Sequence, residues 1–158
     1  MIRWVRIAVC VACSVLAGSA VAGEDYIRDY AERVKAADWN AMETLTVTLD
    51  EHSYEPAELR FKAGRAYKLQ LKNVGKKDHY FTAEKFFRAV AWRKAMIDKH
   101  GEIKAPYFTA FEPLKNGGQI DLYFVPVTRG SYVIQNRTGG AGNSLSVRKL
   151  ELVPVSGN

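Results

Sequence analysis

The most informative part of this chain reads Asn73-Val74-Gly75-Lys76-Lys77-Asp78-His79-Tyr80-Phe81-Thr82-Ala83-Glu84. Before it, residues 66–73 alternate between apolar and polar side chains, which predicts a strand that ends at Asn73. The glycine and the two lysines that follow predict a turn, and His79 opens the next strand. A histidine just inside such a strand end is expected to aim a ring nitrogen into a shallow site at the tip of a β-sandwich.

Short alternating segments recur along the rest of the chain and are separated by turn residues. The predicted strands include Thr44–Leu49, Glu58–Lys62, Gln119–Phe124, Ser131–Gln135 and Ser146–Val153. Two further segments change to helical spacing, which predicts an N-terminal helix over Asp25–Ala37 and an inserted helix over Glu84–Ile97. Many short strands with regular turns predict an all-β sandwich that carries these two helices.

The first 22 residues have the pattern of a secretory signal peptide. Arg3 and Arg6 form a basic start, Ile7–Leu16 is apolar, and Ala20-Val21-Ala22 is a small-residue cleavage pattern. The apolar core is shorter than a membrane span needs, so we expect a periplasmic protein that does not span the membrane after cleavage. The predicted organisation is a signal peptide at 1–22, an N-terminal helical extension at 23–43 and one domain at 44–158.

Both cysteines, Cys10 and Cys13, lie inside the predicted signal peptide. The predicted mature chain, which starts at Gly23, therefore contains no disulfide and no thiolate metal ligand. Loss of two arginines and of no acidic residue lowers its net charge from +6 to +4. This mildly basic balance allows an acidic partner or a membrane surface. No nucleic-acid motif or aromatic-basic repeat is present, so a nucleic-acid partner is not expected.

One set of residues occurs in a particular order along most of the chain. It consists of Tyr54-Glu55-Pro56, Gly64, Asn73, His79 and Gly130-Ser131-Tyr132. This pattern resembles the cupredoxin family over Thr44–Val153, and it implies a cupredoxin-like Greek-key β-sandwich with His79 at the first copper ligand. In copper cupredoxins a C-terminal loop supplies a cysteine, a histidine and usually a methionine, but Asn136 stands here in the place of the cysteine. With that loop lost and no thiolate present, we exclude a blue-copper centre.

Three longer segments carry a narrower resemblance. They are Asp78–Ala95, Gly101–Tyr107 and Ile120–Pro126. These segments resemble the periplasmic cupredoxin-like component of bacterial ferrous-iron transport systems. The resemblance implies partners among the periplasmic or membrane components of a metal-transport system. It also implies that the protein handles or oxidises iron, or passes electrons, beside a periplasmic iron-binding protein.

The candidate metal ligands are His79, His52 and Glu84. In the cupredoxin frame the loop that carries His52 lies at the same end of the sandwich as His79, and Glu84 follows five residues after His79. Two imidazoles with one or two carboxylates suit a divalent ion such as Fe(II), Cu(II), Mn(II) or Zn(II) and leave positions open for water or oxygen. Together with the resemblance to components of iron transport, these donors predict a divalent ion, iron or copper, without a blue-copper centre.

Each candidate also has a structural interpretation. His52 is then a solvated loop residue, His79 a relic that hydrogen-bonds the neighbouring loop, and Glu84 a carboxylate stabilised by the helix dipole. His100 is interpreted as a surface residue at a helix end. Trp92-Arg93-Lys94, on the predicted inserted helix, is either a docking site for an acidic partner or a solvated basic face.

Three functions remain open at this point. The first is a periplasmic protein that binds or handles a metal, iron before copper, through His79. The second is an open-site oxidase of Fe(II) built from the same residues. The third is a metal-free protein-interaction module, whose surface around Trp92 and Asn136–Asn143 binds a partner. We prefer the first, because one family ligand and unmatched carboxylates give thin support for catalysis.

Overall fold

The computed structural model describes residues 26–98, 100–135 and 147–153, with Gln135 and residues 147–153 described by their backbone alone. The predicted signal peptide and the loop Asn136–Asn143 lie outside these residues, and the predicted domain bounds stay predictions. Within the described part of the chain, neither helix has the length and the apolar character that crossing a lipid bilayer requires.

The described residues form two helices and eleven strands. The helices are α1 (Tyr30–Ala36) and α2 (Glu84–Arg88). The strands are β1 (Glu43–Leu49), β2 (Tyr54–Glu55), β3 (Glu58–Lys62), β4 (Tyr67–Asn73), β5 (Phe81–Thr82), β6 (Val90–Ile97), β7 (Gly101–Ile103), β8 (Ala110–Phe111), β9 (Gln119–Pro126), β10 (Gly130–Gln135) and β11 (Val147–Val153).

These strands form two sheets, which confirms the predicted all-β sandwich. The first sheet has the strand order β2-β1-β4-β9-β6-β7, and the second has the order β3-β11-β10-β5-β8. Strand β1 pairs in parallel with β4, and β3 pairs in parallel with β11. The chain passes from the first sheet to the second between β2 and β3, at Pro56, whose peptide bond with Glu55 is cis.

The core between the two sheets is rich in aromatic rings. Phe61 on β3, Tyr67 on β4 and Phe124 on β9 are buried, and α2 adds Phe86 and Phe87. The Phe86 ring centroid lies 5.4 Å from that of Phe61 and 5.6 Å from that of Phe124. Because α2 follows directly after β5, this packing also anchors β5 and holds the loop between β4 and β5 at one end of the sandwich.

The predicted inserted helix over Glu84–Ile97 is wrong in its length. Only Glu84–Arg88 is helical, and Val90–Ile97 is strand β6, which pairs with β9. The register of this pair shifts between Trp92 and Lys94, which is the signature of a β-bulge. Such a bulge interrupts the two-residue alternation of buried side chains, so the segment imitates helical spacing in the sequence.

The correction also changes the interpretation of Trp92. Its side chain is only 2% exposed and its Nε1 donates a hydrogen bond of 2.8 Å to the carbonyl oxygen of Phe87. The predicted docking surface built on an exposed Trp92 is therefore wrong. The neighbouring Arg93 points outward, and its guanidinium carbon lies 4.4 Å from the ring centroid of Trp39.

The N-terminal helix exists but is shorter than predicted. Helix α1 spans Tyr30–Ala36 and packs against β6 and β9, with none of its residues fully buried. Asp29, at the position before the helix, bonds its carboxylate to Arg33 instead of capping a backbone N–H group. The helix is thus a surface element that leans on the first sheet.

Candidate metal site

Three loops meet at the end of the sandwich that carries His79. They connect β1 to β2, β4 to β5, and β8 to β9. The buried side chain of Asn73, the last residue of β4, joins two of them. Its Nδ2 donates to the carbonyl oxygens of Lys77 (2.8 Å) and Pro113 (2.9 Å), and its Oδ1 accepts from the N–H of Gly75 (2.8 Å). Asn73 therefore fixes the turn before His79.

Further hydrogen bonds hold the same loops together. The carboxylate of Asp78 accepts from the N–H of Lys115 at 2.8 Å, and the carbonyl oxygen of Gly75 accepts from the N–H of Asn116 at 3.2 Å. The hydroxyl of Tyr54, at the start of β2, donates to the carbonyl oxygen of Tyr80 at 2.7 Å. The backbone around His79 is thus held on both sides.

Glu51 reaches into this arrangement from the loop between β1 and β2. Its Oε1 accepts hydrogen bonds from the backbone N–H groups of Lys76 and, at 3.1 Å, of Lys77. The bond from Lys76 is the main reason why the pKa of the Glu51 carboxyl lies below its usual value, and the nearby imidazole of His79 adds to the effect. Glu51 is therefore ionised at neutral pH.

His79 is completely buried, with 0% of its surface exposed. Neither its Nδ1 nor its Nε2 has a hydrogen-bond partner among the described residues. Buried polar groups in folded proteins nearly always have such a partner, because an unmet one loses its hydration without compensation. Because both ring nitrogens of His79 lack a partner among the described residues, this imidazole is the group at this end of the sandwich that could bind a ligand.

Gly75 leaves a small space between Glu51 and His79. A Cβ atom at this position would lie 2.8 and 2.9 Å from Oε1 and Oε2 of Glu51 and 2.9 Å from Nε2 of His79. Since Oε1 and Nε2 both lie that close to one point, they are at most about 5.7 Å apart. Any other side chain at position 75 would fill the space, so only glycine leaves the carboxylate and the imidazole facing each other.

The other predicted ligands occupy different surroundings. His52 is exposed, and its backbone N–H donates to the carboxylate of Asp50 at 2.7 Å. Glu84 lies in the first turn of α2 and accepts a bond of 3.0 Å from Arg88. Within the described residues, no three side chains of His, Cys, Asp or Glu are grouped so that they could hold a metal ion. As metal ligands, His52 and Glu84 stay predictions.

Glu51 is the residue that sequence reasoning did not select. It stands between Asp50 and His52 in a loop with several carboxylates, and the sequence pattern does not say which of them turns inward. The useful signal was Gly75, because a glycine in a turn often marks a close approach of other groups to the backbone.

The donors at this end can be compared with what each kind of metal needs. A blue-copper centre does not fit, because it requires a thiolate and the sequence contains no cysteine after Cys13. One imidazole nitrogen and one carboxylate do match the donors that Zn(II), Fe(II), Mn(II) and Cu(II) accept. Two protein donors leave the remaining positions to water or to another molecule.

No family model matches this sequence, and no curated protein matches it. Among solved structures, a copper-containing nitrite reductase from Thermus scotoductus is similar with a TM-score of 0.49 and 12% identity, over 70% of this chain and 31% of that one. Auracyanin A, a "blue" copper protein from Chloroflexus aurantiacus, has a TM-score of 0.44 and 18% identity, over 71% and 99%. An auracyanin from Roseiflexus castenholzii has a TM-score of 0.44 and 14% identity, over 70% and 97%.

This chain thus spans about a third of the nitrite reductase chain. The fold is an all-β sandwich. That assignment rests on the two sheets described above, and these similarities carry nothing about metal, reaction or partner.

Proposed function

We propose that this chain is a periplasmic cupredoxin-fold protein that binds a divalent metal ion, iron before copper, at His79 and Glu51 and takes part in metal handling. The single observation that supports this is the buried His79 imidazole, which has no hydrogen-bond partner among the described residues and faces an ionised carboxylate across Gly75. A neutral imidazole nitrogen and a carboxylate oxygen are both good donors for such an ion.

The separation of the two donors is compatible with a shared ion. Bonds from a divalent ion to nitrogen and oxygen are about 2.1 Å long, so two of them span at most about 4.2 Å. At the tetrahedral angle the two donor atoms are about 3.4 Å apart. The Oε1 atom of Glu51 lies no more than about 5.7 Å from Nε2 of His79, so the partly exposed Glu51 has to move by no more than about 2.3 Å. Binding would also give the buried imidazole the partner that it lacks.

Two protein donors also suit a protein that passes a metal on. A site with few ligands binds weakly and exchanges its ion readily, whereas a complete set of ligands stores it. We therefore treat the ion as cargo. The preference for iron follows from the resemblance of the sequence to ferrous-iron transport components, and the donors themselves accept several divalent ions.

The test is a calorimetric titration of the metal-free mature chain, which starts at Gly23, with Fe(II) without oxygen and with Cu(II), Zn(II) and Mn(II). His79→Ala should abolish binding. Glu51→Gln should weaken it by at least about 10- to 100-fold, since even the loss of a group that only hydrogen-bonds a metal ligand costs that much. Gly75→Ala should weaken it at least as much, because its Cβ occupies the space between the two donors.

Three control variants separate this site from other arrangements. His100→Ala removes an exposed histidine from the turn between β6 and β7 and should leave affinity unchanged. Loss of affinity in His52→Ala or Glu84→Gln would instead support the set of ligands predicted from the sequence. Circular dichroism of each variant establishes that it is folded.

The proposal is overturned if the wild-type chain binds none of the four ions, or if His79→Ala binds as tightly as the wild type. The first result would favour a metal-free interaction module. Oxygen uptake with Fe(II), measured on the same samples, would add an oxidase activity only if it disappears in His79→Ala.

A further inference from the structure

Two apolar side chains stand out of the surface beside the Glu51–His79 pair. Val74 is 55% exposed and Leu114 is 61% exposed, the highest values for large apolar side chains among the described residues. They lie on different loops, but Asn73 bonds to Pro113 and Asn116 bonds to Gly75. The neighbours of Val74 are therefore bonded to the neighbours of Leu114, so the two exposed side chains stand on adjoining loops at the same end of the sandwich.

Exposed lysines lie near these two side chains in the sequence, three of them on the same loops and one near the end of strand β4. They are Lys72, Lys76, Lys77 and Lys115. Within the described residues, none of the four forms an ion pair, whereas Lys68, Lys94 and Lys104 elsewhere all pair with carboxylates. We call Val74, Leu114 and these four lysines the lysine-edged patch.

Three acidic residues of these loops accept hydrogen bonds from backbone N–H groups or a hydroxyl, and within the described residues none of them forms an ion pair with a lysine of the patch. Glu51 accepts the backbone N–H groups of Lys76 and Lys77, and Asp78 accepts that of Lys115. Glu112 accepts the hydroxyl of Tyr80, and this bond raises the pKa of that phenol. These carboxylates keep their negative charge, but the ammonium groups of the four exposed lysines form no ion pair within the described residues.

We infer that the lysine-edged patch docks an acidic protein surface, and that this partner delivers the metal to the Glu51–His79 site or receives it. This inference rests on the proposed function for the nature of the exchange. A small apolar centre with a charged edge is the usual layout of a protein interface, in which the centre supplies affinity and the edge steers the partner. The patch adjoins the site because Glu51 and Gly75 belong to the same bonded loops.

A protein partner is favoured over a lipid surface by the kind of apolar residue present. Side chains that insert into membranes form a broad apolar face rich in Trp, Phe and Leu, often on one amphipathic helix. The patch has single aliphatic side chains on two tightly bonded loops. Among the described residues, no large aromatic side chain is among the exposed apolar ones.

The test follows amide resonances of the 15N-labelled mature chain during titration with a short synthetic peptide of glutamates and two leucines. The shifts should be confined to the loops between β4 and β5 and between β8 and β9. The double variant Lys77→Gln/Lys115→Gln should bind about tenfold more weakly and respond less to salt, which screens exposed charges. Leu114→Ser should weaken binding about fivefold, because it removes the apolar centre.

Matched controls carry the same changes elsewhere. Lys35→Gln/Lys62→Gln removes two exposed lysines that form no ion pair within the described residues, and Ile103→Ser removes an apolar side chain that is 45% exposed. Both should leave affinity unchanged. Absence of peptide binding, shifts elsewhere on the surface, or equal losses in the control and patch variants would overturn the inference. So would binding to phosphatidylglycerol vesicles in preference to the peptide.

The metal titration separates this inference from the proposed function. The lysine substitutions keep the backbone N–H groups that hold Glu51, so the metal affinity of Lys77→Gln/Lys115→Gln should stay within about twofold of the wild type. If the wild-type chain binds the peptide at the patch but no metal, the proposed function fails and the docking surface stands. If it binds metal but no peptide, the docking surface fails alone.

Discussion

Two regions of this molecule each contain a buried ionisable side chain, and these side chains differ in whether they have hydrogen-bond partners. On the outer face of the first sheet, Asp121 is 7% exposed and accepts bonds from Lys68 (2.8 Å), Gln119 (2.8 Å) and Gln70 (3.2 Å). At the loop end, His79 is more deeply buried and has no partner among the described residues. In the first region every bond of the carboxylate is supplied by a neighbour, whereas in the second both ring nitrogens of His79 lack a partner among the described residues.

The charge state of Asp121 follows from that network. Burial alone would raise its pKa, but the bonds from Lys68, Gln119 and Gln70 outweigh burial and hold the pKa below its usual value. The same bond raises the pKa of Lys68. Both groups are therefore charged at neutral pH and bonded to each other, which leaves neither available for a ligand.

The unmet His79 is not the result of a loosely built loop. Six residues earlier, Asn73 is equally buried, and both its amide nitrogen and its amide oxygen are bonded. In both regions, therefore, buried polar side chains normally have hydrogen-bond partners. A single exception in a well-bonded loop points to a function, because a polar group without a partner costs stability.

The largest effect that tests this contrast is expected for Asp121→Leu. The substitution removes the acceptor of three hydrogen bonds, so it should lower the free energy of unfolding by about 2 kcal/mol in urea denaturation. Adding Lys68→Met should recover part of the loss, because it removes the cation left without a partner. A loss below about 0.5 kcal/mol would mean that the network contributes nothing to stability.

His79→Leu is expected to change the free energy of unfolding in the opposite direction, by raising it. Leucine removes a buried polar ring that has no partner among the described residues, so the metal-free protein should gain about 1 kcal/mol of stability. The substitution should impair only metal binding. Adding Zn(II) should therefore no longer raise the melting temperature of the variant. Destabilisation of the metal-free protein would mean that the imidazole already has a partner, and would weaken the proposed site.

The smallest effect is expected for the pH dependence of Glu51→Gln. The pKa of Glu51 is lowered on folding, so its contribution to stability is present above its unfolded pKa of about 4.3 and is lost as the pH falls through the folded value. The urea midpoint of the wild type should thus decline more steeply between neutral pH and about pH 3 than that of Glu51→Gln. Identical profiles for wild type and Glu51→Gln would contradict the assignment.

The strand pattern of this chain could be predicted wherever the alternation was regular. Residues 66–73 alternate cleanly, and β4 spans Tyr67–Asn73. The segment from Val90 to Ile97 misled the prediction because a bulge next to Trp92 breaks the alternation. Local periodicity cannot reveal a bulge, since a bulge exists only relative to the neighbouring strand β9.

The candidate site was predicted in part for a related reason. The end of β4 and the turn after it were visible in the sequence, so the position of His79 after this turn, at one end of the sandwich, was predictable. The carboxylate that joins it was not. Glu51 is held by backbone groups 25 and 26 residues away, and sequence spacing carries no information about such a contact.

The sequence by itself determined the class of fold, because alternating apolar residues can be buried only in paired strands. It also determined that no cysteine follows Cys13, so the donors of the described residues include no thiolate. Only the tertiary structure decided that Glu51 and His79 both lie close to Gly75, that Trp92 is buried, and that the loops of Val74 and Leu114 are bonded together. Those facts depend on which strands pair and how their loops meet, and that is settled by burial and hydrogen bonding between residues distant in the chain.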